Sequence, residues 1–134
     1  METIRTTYTG DLRTKAIHVK SGVEIITDAP VDNQGKGESF SPSDLLAAAL
    51  GSCMVTIMGI ASRTNDINID GTQLRITKVM AANPRRVSEV HVEFDMPPNN
   101  YTEKQKAILD NAARTCPVAL SIHPDIKQLL KFNF

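Results

Sequence analysis

The stretch from Ser41 to Arg63, SPSDLLAAALGSCMVTIMGIASR, constrains this chain more than any other. It opens as a helix. Ser41 is a capping residue, Pro42 suits the first helical position, and Asp44 places a negative charge at the positive end of the helix dipole. From Leu45 to Ala61 the residues are apolar on nearly every face, which predicts a helix buried all round. A single domain of 134 residues has few elements with which to surround such a helix. The simplest solution is a homodimer in which two copies of the helix pack together, with Ala47, Ala48, Ala49 and Gly51 permitting close approach. Cys53 lies in the middle of this helix.

The same run is slightly short for a membrane span and is interrupted by Gly51, Ser52, Cys53, Thr56 and Gly59, so no membrane is expected as a partner. Fifteen basic residues balance fifteen acidic ones. That balance argues against nucleic acid as the main partner, because such partners usually require a basic excess. The absence of Trp removes most base-stacking platforms. The polar N-terminal segment METIRTTYTGDLRTKA has no hydrophobic signal region, and a cytoplasmic protein is expected. In that compartment the two cysteines rest as thiols, and any disulfide between them is transient and chemical.

The flanking segments predict an α+β chain of one domain, residues 1–134. Residues 3–9, 12–20 and 22–28 read as a meander of three antiparallel strands, with turns at Gly10-Asp11 and Ser21-Gly22. Residues 29–40 are a loop, broken by Pro30, Asp32, Asn33, Gly35 and Gly37. After the central helix, residues 67–82 and 86–96 form a second strand pair around Pro84. The alternation Val90, Val92, Phe94, Met96 turns one face inward, with His91, Glu93 and Asp95 outward. Thr102 caps a second helix, and Pro117 starts a short third one. Residues 125–134 fit a strand or a short helix equally well.

Cys53 and Cys116 are the only cysteines. Cys116 precedes Pro117, so its thiol sits at a helix N-terminus, where unpaired N–H groups favour a thiolate. Cys53 lies about three turns into its helix and needs a cation from elsewhere; Arg13, Arg63 and Arg114 are the candidates. On local features alone, both cysteines also fit small buried hydrophobes. His18, His91 and His123 show no metal-ligand spacing with each other or with the cysteines.

SPSDLLAAALGSC, followed by CPV opening a short helix, and TGDLRTKA in the N-terminal meander resemble the OsmC/Ohr family of thiol peroxidases. The resemblance covers essentially the whole chain. It implies an intertwined homodimer, antiparallel sheets enclosing the long central helices, and reduction of organic hydroperoxides. Cys53 would be the peroxidatic thiolate, forming a sulfenic acid, and Cys116 the resolving thiol. Arg13 would lower the Cys53 pKa and orient the peroxide. No cofactor is implied beyond an external dithiol reductant. The family's usual Arg-pairing Glu falls at Ser43 here; Asp44, or Glu38 in the preceding loop, is left to pair with Arg13. Asp44 lies too far along the helix to touch Cys53 of its own chain, so an antiparallel crossing of two helices would bring it to the partner's thiol. The other expectation is a non-catalytic relative, a dimeric binding or redox-sensing stress protein with the same fold.

Overall fold

The computed structural model describes residues 1–134. The chain divides into two compact units, Met1–Leu46 and Ala47–Phe134. The first contains an antiparallel meander of β1 (Ile4–Gly10), β2 (Arg13–His18) and β3 (Glu24–Asp28). The turn between β1 and β2 bends through left-handed backbone at Gly10, Asp11 and Leu12, with φ of 97°, 52° and 61°. Glycine accepts this freely; Leu12 adopts it at a steric cost. The Leu12 carbonyl accepts the Ala29 N–H at 3.0 Å, and the Leu12 N–H donates to the Tyr8 hydroxyl at 3.3 Å.

The loop after β3 folds back on the strand's end. The Asp28 N–H donates to the Phe40 carbonyl at 3.0 Å, and the Gly37 N–H to the Ala29 carbonyl at 3.1 Å. A Cβ at Gly35 would stand 1.7 Å from the Ala29 carbonyl oxygen, so only glycine fits there. Much of this unit's apolar surface is exposed, including Ile4, Tyr8, Val23, Ile25 and Phe40.

The long helix α1 (Pro42–Thr64) begins in the first unit and runs through the second. Ser41 and Asp44 start it reciprocally. The Ser41 hydroxyl accepts the Asp44 N–H at 3.0 Å, and the Asp44 carboxylate accepts the Ser41 N–H at 2.9 Å. This is a capping box with Asp in the place of Glu or Gln. At 23 residues, α1 is long and apolar enough to cross a membrane by length and composition. The expectation that it falls short is therefore incorrect; its buried stripe marks it instead as a core helix.

That stripe comprises Ala47, Leu50, Gly51, Met54, Met58 and Ser62. It joins Val90, Val92 and Phe94 of the second sheet in one apolar core. Burial all round is not what a single chain shows: Ala49, Ser52, Thr56 and Ile60 lie on the exposed side. Gly51 also has a different use from the one its small size suggested. A Cβ there would lie 2.4 Å from Ile76 Cδ1 and 3.4 Å from Leu74 Cδ2, so it lets α1 approach the sheet of its own chain.

That sheet orders β4 (Gln73–Ala81), β5 (Arg86–Asp95) and β6 (Lys127–Asn133) side by side. β4 starts at 73 rather than 67 because the Asn68-Asp70-Gly71 segment turns. The Asn68 side chain accepts the Asp70 N–H at 2.8 Å, and Gly71 has φ of 92°. β4 and β5 are antiparallel, with Val90, Val92 and Phe94 buried and His91 exposed.

β6 pairs with β5 in parallel, so the sheet is mixed rather than antiparallel throughout. A parallel neighbour needs a crossover, which α2 (Glu103–Arg114) and α3 (Pro117–Ser121) supply. Thr102 caps α2 as expected, in a capping box with Gln105. The C-terminal segment resolves as a strand because Leu130 and Phe132 alternate onto the core. Phe132 stacks on its register partner Phe94 at 4.5 Å.

Candidate active site: two thiols and a clamped arginine

Cys116 is the N-cap of α3. Its side chain accepts the Ala119 N–H at 3.4 Å, and Pro117 follows at the first helical position. The residue is 0% exposed. Burial pushes the Cys116 thiol above the ordinary cysteine range, the Ala119 N–H pulls it back, and the adjoining Cys53 thiol pushes it further up. This runs against the expectation that the helix start favours a Cys116 thiolate. A helix of five residues supplies little dipole, and desolvation outweighs it. Cys53, on α1, is partly exposed and packs at the edge of the core. Both cysteines are free. The pair therefore consists of one partly exposed cysteine and one fully buried cysteine whose thiol is pushed toward its protonated form.

The three candidate cations separate by their partners. Arg114 binds Asp110 one turn earlier on α2, at 2.6 Å. Arg63 is an exposed residue in the last turn of α1. Ten residues of helix rise about 15 Å, which keeps it from Cys53 on the same helix. Arg13, at the start of β2, faces its cross-strand register partner Asp28 at the end of β3. Its Nε donates to Asp28 Oδ1 at 2.7 Å, and its Nη2 donates to Asp28 Oδ2 at 2.8 Å and to Glu38 Oε1 at 3.0 Å. The Asp28 side chain is 0% exposed. The Glu38 N–H adds a further bond to Asp28 Oδ2 at 3.1 Å.

The fork holds the Asp28 carboxyl below the ordinary carboxylate range, and the Asp28 hydrogen bonds in turn raise the Arg13 pKa, keeping it charged. Of the carboxylates considered from sequence, Glu38 contacts Arg13. Asp44 closes the α1 cap, and Ser43 bonds the Ser41 hydroxyl at 3.2 Å. Asp28, the principal partner, was missed because it reads as the polar end of a strand. Arg13 and its two carboxylates belong to the first compact unit, and Cys53 and Cys116 to the second.

Sheet order and adjoining thiols define an α+β protein with a cysteine pair at its core helix. The chain belongs to the OsmC-like protein family, whose sequence model matches residues 35–129. Among solved structures it is similar to a protein of Psychrobacter arcticus 273-4 provisionally described as an osmotic stress induced and detoxification response protein. The two are 59% identical, over 99% of this chain and 96% of that one, with a TM-score of 0.95. It is also similar to an organic hydroperoxide resistance protein OsmC from Legionella pneumophila (14% identity, 100% and 98% covered, TM-score 0.79). A third is an organic hydroperoxide resistance protein from Elizabethkingia anophelis (17% identity, 99% and 96% covered, TM-score 0.76). At those two low identities the likeness is one of fold. No curated protein matches the chain by sequence.

Proposed function

We propose that this chain reduces organic hydroperoxides through Cys53. The observation that carries the proposal is the asymmetry of the two thiols: Cys53 partly exposed, and Cys116 fully buried, cap-bound and adjoining it. The Cys53 thiolate attacks one oxygen of ROOH. The O–O bond breaks, Cys53 becomes a sulfenic acid, and the departing alkoxide takes a proton to leave as ROH. The Cys116 thiol then displaces the sulfenic hydroxyl. A disulfide forms, water leaves, and both sulfurs are oxidised by one equivalent of peroxide. An external dithiol reduces that disulfide and is itself oxidised, restoring both thiols. No other cofactor is required. Arg13, kept charged by Asp28 and Glu38, orients the peroxide and stabilises the negative charge that develops as the O–O bond breaks. Asp44 contributes by fixing the start of α1.

The test is consumption of cumene hydroperoxide with dithiothreitol by wild-type protein and Cys53→Ser. Turnover that disappears in the variant supports the proposal. An inert wild-type protein with intact thiols would refute it and leave a redox-sensing or binding role. The cycle needs a dithiol-rich compartment, which the cytoplasm supplies; recovery of the protein only from an oxidising compartment would contradict that placement.

The working form is a homodimer. The exposed side of α1, with Ala49 and Ile60, and the exposed apolar residues of the β1–β3 sheet need cover. A lone three-stranded sheet with this much apolar surface in water is poorly stabilised. Sedimentation equilibrium at micromolar protein should give twice the 14.7 kDa chain mass; a monomer would rule the dimer out.

A further inference from the structure

We infer that Asp28 is the positioning residue for Arg13, fixing the guanidinium in one orientation for the reaction proposed above, on which this inference rests. Three features converge on it. The two residues are direct register partners on adjacent strands, so neither is carried on a loose loop. Asp28 is buried and takes both Nε and Nη2 in a fork, which fixes the guanidinium plane as well as its position. The backbone next to Arg13 is also committed. Leu12 is held at φ 61°, with its carbonyl bonded to the Ala29 N–H directly after Asp28. Strain of this kind persists only where its surroundings over-determine it.

Glu38 closes the arrangement from the loop. It accepts from Arg13 Nη2 while its own N–H donates to Asp28. With a 65% exposed side chain it is the replaceable member of the set. Nε and Nη2 are committed to carboxylates, and Nη1 is the nitrogen with no bond inside the chain. The fork therefore leaves the two N–H groups of Nη1 as the donors not committed to a carboxylate, held in a fixed guanidinium plane. Asp44, the other carboxylate near this stretch in sequence, accepts the Ser41 N–H at the start of α1.

The experiment separates the two halves of the catalytic cycle. Wild type, Asp28→Asn, Arg13→Ala and the double variant are mixed once with cumene hydroperoxide, and loss of the Cys53 thiol is timed. The oxidised proteins are then reduced with dithiothreitol. Asp28→Asn should slow oxidation by about 100-fold, the effect of misplacing a reacting group by about an ångström. The double variant should be no slower than Arg13→Ala, because Asp28 acts through Arg13. Reduction by dithiothreitol should be unchanged in all four.

If Asp28→Asn oxidises at the wild-type rate, or if both half-reactions fall by the same factor, the assignment is overturned while hydroperoxide reduction stands. If wild type itself does not react, hydroperoxide reduction fails and takes the assignment with it. Should Asp28→Asn not fold, Asp28→Glu keeps the charge but moves the carboxylate by one methylene. It should slow oxidation about tenfold with the reduction step intact, and a wild-type oxidation rate would overturn the assignment equally.

Discussion

Cys116 carries two roles that one pair of substitutions can separate. Its sulfur caps α3 by accepting the Ala119 N–H, and its thiol is the proposed partner of the Cys53 sulfenic acid. Cys116→Ala removes both. Losing a side-chain cap costs about 0.5–2 kcal/mol, and deleting a buried atom of this size adds roughly 1 kcal/mol through lost contacts and residual cavity. Cys116→Ser removes only the chemistry. A serine oxygen is a better cap acceptor than sulfur, and that gain roughly offsets the cost of burying a hydroxyl, about 1–2 kcal/mol.

Ser should therefore be more stable than Ala by about 1 kcal/mol. For a chain of 134 residues that is a difference of about 4 °C in Tm. Thermal unfolding of the reduced proteins, followed by circular dichroism, measures it. Neither variant should form the intramolecular disulfide when treated with one equivalent of cumene hydroperoxide. A Tm for Cys116→Ala equal to or above that of Cys116→Ser would refute the capping role.

The same pair tests the raised Cys116 pKa. Folded Cys116 holds its proton above the ordinary cysteine value, whereas the unfolded thiol loses it near pH 8.5. The folded state then binds more protons than the unfolded one, so stability is complete below about pH 8.5 and declines as pH rises beyond it. The stability of wild type relative to Cys116→Ser should fall over that range. A difference that stays flat to pH 10 would contradict the burial account.

Two further predictions rest on packing. Gly51→Val inserts methyl groups where a Cβ alone lies 2.4 Å from Ile76 Cδ1, and should cost about 1–3 kcal/mol in urea unfolding; an unchanged midpoint would show that α1 does not press on β4 there. Ile60→Glu places a charge on the exposed side of α1 and should shift the sedimentation equilibrium toward monomer, while a dimer of unchanged affinity would move the proposed contact elsewhere.

Much of the architecture was legible because it is local. The α1 cap, the Thr102 capping box and the Val90-Val92-Phe94 alternation depend on residues within one turn or one strand of each other. The Arg13–Asp28 pair depends on the exact register of β2 and β3. Pairing carried outward from the expected turn at Ser21-Gly22 would land Arg13 opposite Pro30; the observed register is shifted and sets it opposite Asp28. It was missed because a carboxylate at a strand end reads as a solubilising residue until its partner strand is placed.

What stayed hidden depends on non-local packing. KQLLKFN carries a weak period, and its pairing with β5 is set by the crossover through α2 and α3. The direction of the Cys116 shift could not be read from Pro117, because a helix start predicts a more acidic thiol and only the packed structure shows that desolvation wins.

Gly51 bears on the chemistry as well as on packing. It has no side chain, yet its contact with Ile76 and Leu74 sets the azimuth of α1, because rolling the helix would drive a bulkier residue into the sheet. Each residue advances about 100° around the axis, so Cys53, two positions on, points about 200° away from β4. The direction in which the thiol faces is thus indexed by a missing Cβ one half-turn earlier.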